Sequence, residues 1–235
     1  MDNIEITYCF NLDNEKKESF ELRIDANTLE LIVEDDGCAE PEWVALENNQ
    51  CPNCTYRKET QPHCPVAKNL VHIVERFGDI CSYEEIDLEV ITDERRITQT
   101  TTAQQAISSL LGLVFATSGC HYTAYMKPMA RFHLPLASQE ETAFRAAGMY
   151  LLAQYFQKKP GETGEFHMDG LKKIYQDLHV VNMALSTRIR SALSAESSIN
   201  ALVILDARAN MIPFVIEDYL DEIQPLFEAY KFDHD

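Results

Sequence analysis

Hydrophobic and polar residues alternate along the first third of the chain, a pattern typical of β-strands. Ile4–Phe10 and Phe20–Ile24 alternate and predict a hairpin. Leu29–Val33 is expected to form a third strand. Tyr83–Thr92 alternates as well, and Arg96–Thr100 follows after a short polar turn, which predicts a second hairpin.

Beyond residue 100 the apolar residues repeat at the helical period instead. A helix is expected after Thr102, which matches a capping box with Gln105, and it should stop at Gly119. Ser138 and Glu141 match a second capping box, which predicts the start of another helix.

Four more helices are expected from the same periodicity. A short one over Val66–Phe77 opens with Pro65, whose fixed backbone angle suits a first helical turn. A longer helix should cover Leu171–Leu193. Two others are expected towards the end, one before Pro213 and one over Val215–Tyr230.

Strands followed by helices, without regular β-α-β alternation, predict an α+β fold. N-terminal antiparallel β-hairpins with a cysteine loop should precede a C-terminal helical bundle. Residues 1–100 form the mostly β region with one short helix, and residues 101–235 form the helical region. We expect one fused unit, because the connection over 119–138 is apolar enough to be packed.

Charge and composition limit the function. The chain has 38 acidic and 20 basic residues and a formal net charge of -18. Such an acidic protein is not expected to bind nucleic acid or an anionic membrane, since both need clustered basic residues. No stretch reaches the roughly 18 apolar residues of a membrane span, and no secretory signal opens the chain. A cytoplasmic protein is expected, in which its seven cysteines would be thiols or metal ligands.

A cysteine cluster is the strongest chemical signal. Cys51 and Cys54 form a C-x2-C knuckle, and His63-Cys64 follows eight residues later. A knuckle of this kind can place two thiolates on one metal ion, and zinc in structural sites takes four ligands. We expect three ligands here, Cys51, Cys54 and Cys64. Prolines after cysteines also occur around iron–sulfur clusters, which remain an alternative to zinc, as do metal-free thiols.

The fourth ligand is expected from another part of the chain. Cys120 follows Gly119 at the predicted helix end, where the chain can turn and present a side chain. The competing donors are His121, His133 and His63, in that order. Cys120 could instead be a structural residue or a reactive thiol beside His121.

The same residues resemble blocks of an uncharacterised bacterial protein family. The similarity extends over nearly the whole chain, and the blocks that carry it are Trp43, Cys51-Pro-Asn-Cys54, His63-Cys-Pro-Val-Ala67, Thr117-Ser-Gly-Cys120 and Pro128-Met-Ala-Arg-Phe-His-Leu-Pro135. No activity is assigned to that family, so the resemblance implies a bacterial cytoplasmic protein and no particular reaction.

The leading hypothesis from the sequence is a metal-stabilised, zinc-like binding or regulatory protein whose small-molecule or protein partner is not indicated. The alternative is a redox protein or enzyme that uses an iron–sulfur cluster or a reactive Cys120. A shell of four protein ligands would indicate a structural site, whereas three ligands and a water would indicate catalysis.

The charge balance generates one prediction. The protein should not bind DNA or RNA at physiological salt, because its acidic residues outnumber its basic residues, 38 to 20, and repel phosphates. A gel-shift titration with duplex DNA and with single-stranded RNA checks this. Submicromolar binding to either would contradict it.

Overall fold

Four antiparallel strands form one sheet, and helices flank and follow it, which confirms the predicted α+β fold. This computed structural model describes residues 3–12, 16–33, 39–78, 80–158, 167–192 and 196–230. The strands are β1 (Asn3–Asn11), β2 (Lys17–Asp25), β3 (Glu85–Thr92) and β4 (Arg96–Thr102). The helices are α1 (Pro65–Arg76), α2 (Ala103–Thr117), α3 (Lys127–Arg131), α4 (Gln139–Gln157), α5 (Asp169–Ala192) and α6 (Glu196–Ile223).

Both predicted hairpins are present, and β1 pairs with β3 to join them in the order β2-β1-β3-β4. The alternation of the strands decides which side chains enter the core. Tyr8 and Phe10 are fully buried and pair with Val90 and Leu88 on β3. They belong to one large hydrophobic cluster with the apolar faces of α1 and α2.

Helix α6 packs against both α5 and α2, so it connects the large cluster with a second one. The second cluster forms where α4, α5 and α6 meet, and it includes Ala147, Leu178 and Ile216. No helix in the described residues is long and apolar enough to cross a membrane.

The expected third strand over Leu29–Val33 is wrong. Only an isolated bridge between Ile24 and Leu31 forms there. Leu29 adopts a positive φ of 54°, which interrupts an extended strand. The N–H of Leu31 donates to the carbonyl of Thr117 at the end of α2, while the N–H of Ile32 donates to the carbonyl of Arg23 on β2, so this segment is shared between the helix end and the sheet edge.

The capping box expected at Thr102 is also wrong. Thr102 precedes α2 as its N-cap residue but makes no side-chain capping hydrogen bond. The Gln105 side chain, the other half of the expected box, accepts a hydrogen bond from the Thr101 hydroxyl instead.

The two helices expected around Pro213 are one helix. Proline costs about 3 kcal/mol in a helix interior, which is why the sequence suggests a break. Ile212 and Ile216 are both buried in the second cluster, so packing holds the backbone helical on either side of position 213. The predicted Val215–Tyr230 helix ends at Ile223 and continues as a short 3-10 helix, Gln224–Tyr230.

The capping box at the start of α4 is confirmed and gives a stability prediction. The Glu141 N–H donates to Ser138 Oγ at 3.1 Å, and the Ser138 N–H donates to Glu141 Oε2 at 2.8 Å. The Ser138→Ala substitution should lower the free energy of unfolding by ~1 kcal/mol, because it removes a helix cap. Urea denaturation measures this, with Gln157→Ala at the exposed far end of α4 as the control. Equal midpoints for the two variants would contradict the capping role.

Candidate functional site

The cysteine loop is closed at its base by backbone hydrogen bonds. The Leu46 N–H donates to the Pro62 carbonyl at 2.8 Å, and the Cys64 N–H donates to the Val44 carbonyl at 2.9 Å. Cys51 and Cys54 therefore lie in a loop whose two ends are held together. Within the loop, the Cys54 N–H donates to the Cys51 carbonyl at 2.9 Å, which makes the knuckle a tight turn.

Cys64 caps the N-terminus of α1, which begins at Pro65. Its thiol is buried, and this burial raises its pKa. The backbone N–H groups of Ala67 and Val66 act in the opposite direction and lower the pKa. A helix N-terminus favours a nearby anion, so this position suits a thiolate once its charge is compensated.

Cys120 follows the C-terminal end of helix α2 and lies beside the cysteine loop. Gly119 has a φ of 84° and ends the helix, as the sequence predicts. The Tyr56 hydroxyl, from the cysteine loop, donates to the Gly119 carbonyl at 2.7 Å. The rings of Tyr56 and His121 lie 4.4 Å apart between centroids, and Thr55 Oγ1 is 3.2 Å from His121 Nδ1. These contacts attach the end of α2 to the loop.

The four predicted cysteines lie close enough to influence one another electrostatically. Burial raises the pKa of the Cys51 thiol to about 12, and Cys64, Cys120 and Cys54 raise it further in that order. Among the described residues, however, no group of three or more histidine, cysteine, aspartate or glutamate side chains is arranged to hold a metal ion. The four-cysteine metal site therefore stays a prediction.

A buried arginine completes this neighbourhood. Arg188 on α5 is only 2% exposed. Its Nη1 donates to the carbonyls of Trp43, at 2.7 Å, and Ala45, and its Nη2 donates to the carbonyl of Leu46 at 3.1 Å. The guanidinium therefore holds the base of the cysteine loop against α5.

The charge of Arg188 acts directly on the cysteines. Burial lowers the pKa of its guanidinium, while Cys64, Cys51 and Cys54 raise it. In the described residues no carboxylate forms an ion pair with Arg188. The cysteine thiols are therefore the acidic groups that influence the pKa of its guanidinium. The sequence does carry a signal for this residue, since Leu178, Val181, Leu185 and Arg188 share one helical stripe that is otherwise apolar. Sequence reasoning did not connect that stripe to the cysteines.

Two of the alternative donors lie near the cluster and one does not. His63 bridges to Ala45 at the base of the loop, and His121 contacts Tyr56. His133 instead bonds to the Tyr8 hydroxyl, which also bonds Ser109 Oγ at 3.1 Å. Ser109 lies eight residues before the end of α2, roughly 12 Å at 1.5 Å per residue, so His133 is remote from Cys120.

Comparison with known proteins places the chain in a family. The family described as Domain of unknown function (DUF6901) matches residues 6–228, nearly the whole chain. The chain belongs to this family, in agreement with the resemblance seen in its sequence blocks. No curated protein and no solved structure matches it.

The raised pKa of Cys51 generates a prediction for the reduced, metal-free protein. An unfolded cysteine ionises near pH ~8.5, whereas the folded Cys51 thiol has a pKa of about 12. Its neutral form therefore stabilises the fold below the unfolded pKa, and this contribution is lost as the pH rises from there towards the folded value.

The experiment measures the free energy of unfolding as a function of pH, in the presence of chelator and reductant. The wild-type protein should lose stability above pH ~8.5 more steeply than the Cys51→Ala variant. Identical slopes for the two proteins would contradict the burial of this thiol.

Proposed function

We propose that this family member is a non-enzymatic binding or regulatory protein built around a structural, zinc-like metal ion. Cys51, Cys54, Cys64 and Cys120 would supply four thiolates to that ion. We further propose that it works in the cytoplasm, where thiols stay reduced and available to a metal.

The observation that carries the proposal is the buried Arg188 beside the thiols. Four thiolates around a divalent ion leave a net charge of about -2. A buried charge is unfavourable unless an opposite charge accompanies it. The guanidinium is within electrostatic reach of Cys64, Cys51 and Cys54, and it would supply that opposite charge.

The positions of the cysteines also support a structural role. They come from the cysteine loop, the N-terminus of α1 and the end of α2, which are far apart in sequence. A metal ion would tie these three elements together. Binding would draw the sulfurs inward and release their protons, so metal affinity would contribute to folding stability and fall at low pH.

Cys51 and Cys64 fit the role of a catalytic thiol poorly. Reactive cysteines need a lowered pKa, whereas burial raises the pKa of both of these thiols. A reactive Cys120 stays the alternative to a metal ligand at that position. An iron–sulfur cluster uses the same thiolate chemistry, and it would identify itself by visible absorption. His121 and His63 remain alternative donors should Cys120 not bind.

The test is elemental analysis of protein purified under reductant, combined with thermal denaturation. We expect about one equivalent of zinc and no visible absorption. Cys51→Ser and Cys54→Ser should each lower metal content and melting temperature together, since each removes a thiolate. Cys9→Ser on strand β1 is the control and should change neither. Metal-free wild-type protein, or variants with unchanged metal content, would contradict the proposal.

A second pair of variants tests the role of charge. Arg188→Met should weaken zinc binding in a chelator competition assay, and Arg188→Lys should restore part of it, because lysine keeps the positive charge. Arg190→Met, on the exposed side of the same helix, is the matched control. Equal zinc affinity for the Met and Lys variants would show that the charge at position 188 does not act on the site.

A further inference from the structure

A cavity of about 160 Å³ lies between α2, α3, α4, α5 and α6. Its size is close to that of an engineered cavity of about 150 Å³ that binds benzene, so it can hold a ring or a short hydrocarbon chain. It shares no lining side chain with the cysteine cluster. Its wall is largely apolar and includes Leu113, Met126, Met129, Leu136, Leu178 and Leu205.

A buried hydroxyl without a partner also lines this cavity. Ser108 is 1% exposed, and within the described residues its hydroxyl has no hydrogen-bond partner. Tyr175 and Asn182 are buried in the same wall and add further polar side chains to it. Buried polar groups are nearly always hydrogen-bonded, so the Ser108 hydroxyl indicates that a polar ligand completes the site.

Among the described residues that line the cavity, Arg145 supplies the one positive charge. Its Nη2 donates to the carbonyls of Met129, at 3.0 Å, and Phe132, at 2.8 Å, which fixes the guanidinium against α3. A guanidinium has five N–H donors, so this leaves others for a ligand. No carboxylate in the described part of the chain lies within 4.0 Å of it, and Glu141, one turn earlier, is engaged in the helix cap.

The remaining titratable groups at the cavity are neutral at physiological pH. Burial, and then the charge of Arg145, lower the pKa of His133 to about 3, so its imidazole carries no charge. Burial raises the pKa of Tyr175 above its usual range, so its phenol stays protonated and can donate a hydrogen bond. One cation with neutral donors around it matches a ligand that carries a single negative charge.

We propose that this cavity binds a small organic monocarboxylate. The carboxylate pairs with Arg145 and accepts a hydrogen bond from Tyr175. The apolar body of the ligand occupies the space lined by leucine and methionine side chains. This inference names a ligand class and a site that are independent of the metal, so either can fail without the other.

The test measures binding of benzoate and hexanoate to the full-length protein by calorimetry. Benzamide and hexanamide serve as uncharged counterparts of the same shape. Both carboxylates should bind saturably, at least about tenfold more tightly than the amides, because only they neutralise the positive charge of the half-buried Arg145. The metal content of the same sample is determined, so that loss of metal and loss of carboxylate binding are scored separately.

Variants locate the site. Arg145→Met should weaken carboxylate binding by about ten- to a hundredfold, the range expected for a charge-assisted hydrogen bond. Arg131→Met, in the exposed part of α3, is the control and should bind as the wild type does. Ser108→Ala should fold normally, since it removes an unpaired buried hydroxyl, and should bind about two- to tenfold more weakly.

Any one of three results would overturn the proposal. Neither carboxylate binds saturably, or the acids and the amides bind with equal affinity, or a folded Arg145→Met protein binds the carboxylates as tightly as the wild type does. Should Arg145→Met fail to fold, the Ser108→Ala affinity and the acid–amide comparison decide the question. Unchanged binding in Ser108→Ala would then count against this cavity as the site.

Discussion

The arrangement around the cysteines depends on one buried cation, the guanidinium of Arg188. Removing such a group from water is costly unless hydrogen bonds and opposite charge replace its solvation. Three backbone carbonyls, those of Trp43, Ala45 and Leu46, meet the first need. In the proposed metal-bound state, the thiolates of the cysteine cluster would meet the second. Through its hydrogen bonds, Arg188 links the helical half of the chain to the cysteine loop.

The same constraint explains why the cluster is assembled from distant segments. Arg188 holds the start of the loop, backbone bonds hold the loop closed, and the Tyr56 hydroxyl fixes the end of α2 beside it. Cys120 thus reaches the loop through a helix end that Gly119 turns with a positive φ. The second polar site, around Arg145, has a half-buried guanidinium that also bonds backbone carbonyls and has no carboxylate partner among the described residues. Arg188 supports the proposal of a metal ion at the cysteines, and Arg145 supports the proposal of a carboxylate in the cavity.

The sequence predicted many local features, because strand alternation and helix-end signals depend on neighbouring residues. Both hairpins, the Ser138 cap and the stop at Gly119 follow from such signals, although the capping box at Thr102 does not form. The sequence failed where tertiary contacts decide the outcome. Packing on both sides keeps the helix continuous at Pro213, and the end of α2 takes up the N–H of Leu31, which forms only an isolated bridge to the sheet.

For the candidate site, the cysteine spacing predicts Cys51, Cys54 and Cys64 as ligands and a helix-end argument predicts Cys120, and this ligand set stays a prediction. The contribution of Arg188 required the structure, because no local pattern relates a residue on α5 to a loop more than a hundred residues earlier. An arginine on an otherwise apolar helical stripe signals a buried cation, but it does not reveal the partner. The cavity at Arg145 is likewise formed by five helices, whose meeting point cannot be located from periodicity.

X-ray absorption at the metal edge of protein purified under reductant tests most directly whether the four cysteines bind a metal ion, because it counts the ligand atoms around the ion. Four-cysteine coordination predicts zinc surrounded by four sulfur atoms at about 2.3 Å. A first shell made mainly of nitrogen and oxygen, or protein without any bound metal, would contradict it.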